Sequence, residues 1–256
     1  MNKNNADVFA KTVDEYLATH QVTGIGDYAG FVRFAETEPV KGVVTAEVTP
    51  AHKARKVRFW GALEHLPLMR AWGLDVAEFD PDAAARGCCP DVIFCHLEPG
   101  YSRGDVDQIL GAVRLGTHFV TLQNTDRWSA VFAKRFGCNY DGVLTIGSDA
   151  EGGVFFANCP KLFEGFPEGR LGADVLPFMG SNRHSMYLTG DRCLLGAADM
   201  KKRRIATSIA QYAYGKGAIT LVGPCAKDLN KTGADYKRLL LNLITLLPPV
   251  CGAACR

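Results

Sequence analysis

The chain has 256 residues, of which 47% are hydrophobic and 22% are charged, and its formal net charge is +2. This is the balance of an ordinary globular protein, and so small a charge gives no reason to expect a nucleic acid or an anionic membrane as a partner. No apolar run reaches the roughly 18 residues that a spanning helix needs, and the polar N-terminus lacks the apolar stretch of a signal peptide. We therefore expect a cytoplasmic protein.

The first 50 residues are predicted to form an extension of helix and strand. Apolar residues recur at helical spacing in Asn5–His20, and Gly42–Val48 reads as a strand. We place the main domain at residues 51–250 and a short tail at residues 251–256.

Alternating strands and helices are predicted next. Ala54–Gly61 alternates in the manner of a strand, the residues after it can form a helix interrupted near Pro67, and Asp75–Asp80 reads as a short strand. Asp91–Leu97 is a compact apolar run with a polar start, which is typical of a parallel strand buried on both faces.

The clearest unit of the sequence follows. A helix with Ser102 as its N-cap, ended by Gly116, leads from the strand at Asp91–Leu97 to another at Thr117–Gln123. Strand, helix and strand at this spacing predict a βαβ unit with parallel strands.

From Asp141 onward, short strand-like runs are separated by glycine and proline. Tyr214–Gly217 reads as a hairpin turn, and Ala234–Leu247 as an amphipathic closing helix that two prolines terminate. The order of elements predicts an α/β fold: a mostly parallel sheet flanked by helices, with antiparallel extensions in the C-terminal half.

Polar residues follow three of the predicted strands, where ligands of parallel sheets gather. The candidate ligand-binding residues are His96, Glu98, Tyr101, Arg103, Gln123, Asn124 and Asp126. Cys225 follows the last predicted strand, and it would be a nucleophile only beside a base such as His96. The weak catalytic candidates are thus Cys225, His96 and Glu98.

Each candidate also has a more ordinary interpretation. A single cysteine after an apolar strand usually packs, a loop histidine or glutamate usually makes a surface hydrogen bond, and Asn124 or Asp126 can cap a following helix. The nine cysteines include no C-x-x-C pair, and dinucleotide, P-loop and zinc-protease motifs are missing. We therefore predict no metal and no cofactor, and mostly buried, reduced thiols.

The segment from Asp91 to Gly137 resembles the core of the class I glutamine-amidotransferase-like fold, whose sheet is flavodoxin-like. Later phrases are similar to amidotransferase-like domains attached to glycoside hydrolases such as family 2 enzymes and β-galactosidases. They are "LFEGFPEG", "YGKGAITLVGP" and "RLLLNLI". The resemblance covers about Arg55 to Leu247.

Two departures from that family pattern concern its catalytic groups. The resemblance implies Gly-x-Cys-x-Gly after the strand Thr117–Gln123, where this chain reads "LQNTDRW", and a His-Pro-Glu type ending after the last strand, where it reads "GPCAK". It therefore implies a non-catalytic domain that acts in assembly, as a homo-oligomer or with a glycoside-hydrolase catalytic domain, or that shapes a carbohydrate site. The alternatives are a divergent hydrolase that uses Cys225 or His96 and Glu98, and a small-molecule or carbohydrate-binding module at the Glu98/Asn124 crevice.

Overall fold

The computed structural model of the chain describes residues 42–61, 65–95, 103–122, 140–145, 153–157, 159–167, 184–188, 192–199, 204–222 and 233–246. Within these ranges, ten strands join into one mixed sheet with helices packed on both faces. The expected α/β fold is therefore confirmed, with parallel pairing in the first part of the chain and antiparallel pairing added later.

Five strands form the parallel part of the sheet, in the order β2-β1-β3-β4-β10. Its elements are α1 (Pro50–Lys53), β1 (Lys56–Trp60), α2 (Leu66–Ala71), β2 (Asp75–Glu78), α3 (Pro81–Ala85), β3 (Val92–Cys95), α4 (Arg103–Leu115), β4 (His118–Thr121), β10 (Gly217–Val222) and α5 (Ala234–Thr245). The predicted βαβ unit is confirmed as β3, α4 and β4.

The antiparallel part is built around a long strand, β9 (Arg204–Tyr214), which pairs with β10, β8 and β7. The other elements are β5 (Tyr140–Thr145), β6 (Gly153–Ala157), a 3-10 turn (Pro160–Phe163), β7 (His184–Leu188) and β8 (Arg192–Asp199). The predicted hairpin is confirmed, since a two-residue loop joins β9 to β10 and Gly215 has a φ of 61° there.

Two cores explain why the parallel strands are apolar on both faces. Alternate residues of β3 divide between them: Val92 and Phe94 pack beneath α2 and α5, whereas Ile93 and Cys95 pack beneath α3 and α4. Because successive side chains of a strand point to opposite faces, a sheet covered by helices on both sides needs such uninterrupted apolar runs.

One sequence prediction is wrong, since no strand forms at Gly42–Val48. Instead, Arg238 Nε donates a hydrogen bond to the Thr45 carbonyl, so α5 holds this segment away from any strand ladder. Val44 is buried and Val43 is 89% exposed, so the two side chains alternate as they would in a strand, although this segment pairs with no strand. Pro67 lies in the first turn of α2, a position that tolerates proline.

Candidate functional site

The carboxyl edge of the parallel strands is the expected position of a site in this fold. The chain passes from β1 to β2 on one side and then places β3 on the other side of β1, so the strand order reverses there. In open α/β sheets, ligands bind outside the carboxyl ends of the strands at such a switch point. The described residues at this point are Trp60 at the end of β1, Gly61 after it, and Cys95 at the end of β3.

A row of side chains crosses the sheet at this edge. Trp60 is in register with Cys95, and Cys95 is in register with Thr121. Cys95 and Thr121 are fully buried and Trp60 is half-buried. The Thr121 hydroxyl makes no hydrogen bond to any described residue. The ends of these strands thus place a thiol, a hydroxyl and an indole ring side by side on the sheet face that α3 and α4 cover.

Most of the predicted site residues lie outside the described ranges: His96, Glu98, Tyr101, Gln123, Asn124, Asp126 and Cys225. Arg103 is the first residue of α4. The chain leaves the described edge at Cys95, Leu122 and Val222, directly before the three segments that carry these residues. The segments thus start from neighbouring strands, and the roles of their side chains stay predictions.

A polar cluster that the sequence analysis missed is buried between α5 and the sheet. His118 Nδ1 lies 3.2 Å from the Leu243 carbonyl oxygen, and His118 Nε2 lies 2.6 Å from Thr220 Oγ1. Gln211 Nε2 donates to the same hydroxyl at 3.2 Å. Periodicity does not reveal this cluster, because His118 and Gln211 stand in otherwise ordinary strands.

The Leu243 carbonyl determines which groups of this cluster donate and which accept hydrogen bonds. Since a carbonyl oxygen only accepts, Nδ1 of His118 carries the proton and Nε2 accepts from the Thr220 hydroxyl. That hydroxyl in turn accepts from Gln211. Burial lowers the pKa of His118 to about 4. His118 is therefore a neutral imidazole with both nitrogens engaged, which fits a structural role and not a general base.

The 3-10 turn is fixed to α5 by an amide. Asn242 Nδ2 donates to the carbonyl oxygens of Leu162 at 2.8 Å and Glu164 at 2.9 Å. Asn242 is 4% exposed, and its bond to the Leu162 carbonyl is buried whereas its bond to the Glu164 carbonyl is partly buried. The phrase "LFEGF" in the sequence thus serves a packing contact with the last helix.

At the start of α1, Thr49 and His52 form a capping box. Burial lowers the pKa of His52, and the nearby charge of Arg238 adds to this effect while Glu164 opposes it. His52 is buried and lies close to Arg238 and to the Leu241 backbone of α5. It is therefore assigned to the packing of α1 and not to the carboxyl edge.

The described cysteines depart in part from the expectation of buried thiols. Cys95 and Cys159 are buried, whereas Cys89 is half-buried and Cys88 is exposed. Among the described residues, no group of three or more histidine, cysteine or acidic side chains is placed to hold a metal ion. None of the helices in the described ranges has both the length and the apolar character needed to cross a bilayer.

No family model matches the chain, and no curated protein matches it. It is similar to a solved cytoplasmic protein from Salmonella typhimurium, with a TM-score of 0.45 and 14% identity over 75% of this chain and 98% of that one. A β-galactosidase from a Rahnella species matches with a TM-score of 0.46 and 14% identity, over 76% of this chain and 32% of that one.

An exo-β-1,4-mannosidase from an Opitutaceae bacterium also matches, with a TM-score of 0.38 and 12% identity over 84% of this chain and 35% of that one. The chain therefore spans about a third of the length of these two glycoside hydrolases. None of these similarities assigns an activity to the chain.

Proposed function

We propose that this chain is a non-catalytic amidotransferase-like domain with a flavodoxin-like core, which acts beside a glycoside-hydrolase catalytic domain in assembly or in shaping a carbohydrate site. The parallel strand order β2-β1-β3-β4-β10 supports the flavodoxin-like part, since it matches the order 2-1-3-4-5 of that fold. The division of the helices supports it further, because α2 and α5 cover one face while α3 and α4 cover the other.

One observation supports the proposal that the domain is non-catalytic: neither β4 nor the sequence directly after it supplies a nucleophile and an imidazole in the required positions. A thiol-dependent amidase needs a nucleophile just after this strand and an imidazole to activate it. The residues after Leu122 read Gln-Asn-Thr-Asp, without a cysteine. The imidazole that β4 does supply, His118, lies three residues before Thr121, roughly 10 Å along the strand, and it faces α5.

The test is a search for activity and for assembly in the same preparation of the full chain. We expect no release of ammonia from glutamine and no hydrolysis of aryl galactosides or glucuronides. We also expect the mass measured by light scattering to rise with protein concentration, as a homo-oligomer requires. A Cys225→Ser variant is the matched control, and the proposal fails if the wild-type protein hydrolyses any of these substrates and the variant does not.

A second candidate function, a carbohydrate- or small-molecule-binding module, is favoured by the switch point. His96 directly follows Cys95, so the segment with Glu98 starts at the position where ligands bind in this class of sheet. Calorimetric titration with galactosides and glucuronides tests this function. Binding that is lost in Glu98→Gln and kept in Asp75→Asn, at the amino end of β2, would favour the module over an assembly role.

A further inference from the structure

The first turn of α5 carries a buried carboxylate with one unpaired oxygen. Asp235 is 6% exposed, and its Oδ2 makes no hydrogen bond to any described residue. Such an acceptor costs free energy, because the water that it lost on folding has not been replaced by another donor. Gly233 and Ala234, directly before it, are exposed, so the carboxylate lies just beneath the surface of the protein.

The course of α5 places Asp235 near the carboxyl edge of the sheet. β10 ends at this edge with Val222, whereas the carbonyl oxygen of Leu243, late in α5, lies 3.2 Å from His118 Nδ1 at the start of β4. α5 therefore runs back across the sheet, and a rise of 1.5 Å per residue places Asp235 about 12 Å from Leu243. Because β4 extends roughly 10 Å from His118 to Thr121, Asp235 lies near the level of the strand ends.

The other oxygen of this carboxylate is directed toward the start of the helix. A Cβ added to Gly233, the N-cap residue, would lie 2.8 Å from Asp235 Oδ1. Since glycine supplies no side-chain cap, the Asp235 carboxylate interacts with the backbone amides of Asp235 and Tyr236 instead. Oδ1 thus serves the helix N-terminus, and Oδ2 remains for another donor.

The charges around Oδ2 determine which kind of ligand it can take. An ionised carboxylate only accepts hydrogen bonds, so the ligand must bring a donor. The negative charge of Asp235 disfavours an anion, and the positive end of the α5 dipole disfavours a cation. An uncharged hydroxyl group meets both conditions. It gains a charge-assisted hydrogen bond, and no bond from Oδ2 to water has to be broken, because folding has already removed that water.

We propose that Asp235 Oδ2 accepts a hydrogen bond from a hydroxyl group of an uncharged sugar or polyol that binds at the carboxyl edge. This assignment rests on the second candidate function, the carbohydrate- or small-molecule-binding module, and it adds a residue and a ligand class to that function. A neutral galactoside should therefore bind more tightly than a glucuronide, whose own carboxylate Asp235 repels.

Calorimetric titration of the full chain with methyl β-galactoside and methyl β-glucuronide at neutral pH tests this assignment. Asp235→Asn replaces the charged acceptor with an amide of similar shape, and we expect it to lower the galactoside affinity by about tenfold or more. Gly233→Ala keeps the charge but places a methyl group 2.8 Å from Oδ1, which should displace the carboxylate and lower the affinity as well. The control is Asp75→Asn at the amino end of β2, which should bind as the wild-type protein does.

A purely structural Asp235 would affect stability and leave the affinity unchanged. Urea unfolding of each variant therefore accompanies the titration, and Asp235→Asn should bind the galactoside less tightly although it is no less stable than the wild-type protein. Unchanged galactoside affinity in Asp235→Asn or Gly233→Ala, loss of binding in Asp75→Asn, or tighter binding of the glucuronide overturns the assignment and leaves the binding module standing. If the wild-type protein binds neither glycoside, the module and the assignment both fail, whereas light scattering decides the assembly role separately.

Discussion

Acid should weaken this fold through His118, which titrates differently when folded and unfolded. Burial lowers its pKa to about 4 in the folded chain, from an ordinary value of 6.5. The unfolded chain therefore takes up this proton first as the pH falls. The contribution of the neutral imidazole is fully present above pH 6.5, is lost progressively below it, and is exhausted near pH 4.

The size of the effect follows from the two pKa values. The full difference corresponds to about 3 kcal/mol, since one pKa unit is worth about 1.4 kcal/mol. Between pH 7.5 and pH 5, linkage gives a loss of about 2 kcal/mol in the free energy of unfolding. His118 is fully buried, so screening by water does not reduce this figure much.

Urea unfolding followed by circular dichroism at both pH values measures this loss. The matched variant is His118→Gln, which keeps a donor and an acceptor in the cluster but does not titrate. Contributions from His52 and Asp235 are common to both proteins and cancel in the difference. We expect the wild-type protein to lose about 2 kcal/mol more than the variant between pH 7.5 and pH 5. Equal losses in the two proteins would refute the assignment of His118 as a buried neutral imidazole.

Three further predictions concern stability. Gly217→Ala should lower the free energy of unfolding by about 3 kcal/mol, because an added Cβ would lie 2.2 and 2.3 Å from two carbonyl oxygens at the end of α4. Gly111→Ala, which has open space around it, should raise the free energy of unfolding by about 0.5–1 kcal/mol. Urea unfolding midpoints of the two variants and the wild-type protein measure both effects. Asn242→Ala should cost about 1–3 kcal/mol by removing the donor from the buried Leu162 carbonyl and the partly buried Glu164 carbonyl. Thr245→Ala removes a hydroxyl that bonds to carbonyls of its own helix, and it should cost less in the same assay. Burial raises the pKa of Asp235, so stability is lost as the pH rises from the ordinary pKa of the carboxyl through the raised one. Asp235→Asn should therefore gain stability at pH 7 and none at pH 3, and an equal gain at both would contradict this cause.

The sequence predicted those elements of the parallel part whose identifying residues lie close together in the chain. The helix from Arg103 to Leu115 was located from Ser102 as its N-cap and from Gly116, whose positive φ of 129° suits a residue that ends a helix. The strands on either side of it were read from uninterrupted apolar runs. These features depend on residues a few positions apart, which a sequence displays directly.

Features that depend on distant partners were not predictable in the same way. Gly42–Val48 has the alternation of a strand, but its partner is α5, nearly 200 positions further along the chain. The short helix α3 was missed although Asp80, whose side chain accepts from two backbone amides, and Pro81 mark its start. The order of the strands and the cluster at His118 likewise arise from pairings between separate segments.

Buried polar atoms that lack a hydrogen-bond partner occur in several parts of the described structure, and Gln211 Oε1 in β9 is one of them. Each costs about 1–3 kcal/mol, so a fold keeps few of them without a reason. Thr121 Oγ1 lies at the carboxyl edge, and Asp235 Oδ2 lies in the first turn of α5, which follows the strand end of β10 at that edge. By contrast, both nitrogens of His118 and the amide of Asn242 are satisfied beneath α5. Unpartnered atoms thus lie both near the carboxyl edge, in Thr121 and Asp235, and in the antiparallel strand β9, in Gln211, so they support a binding function at this edge only together with the strand order that reverses between β1 and β3.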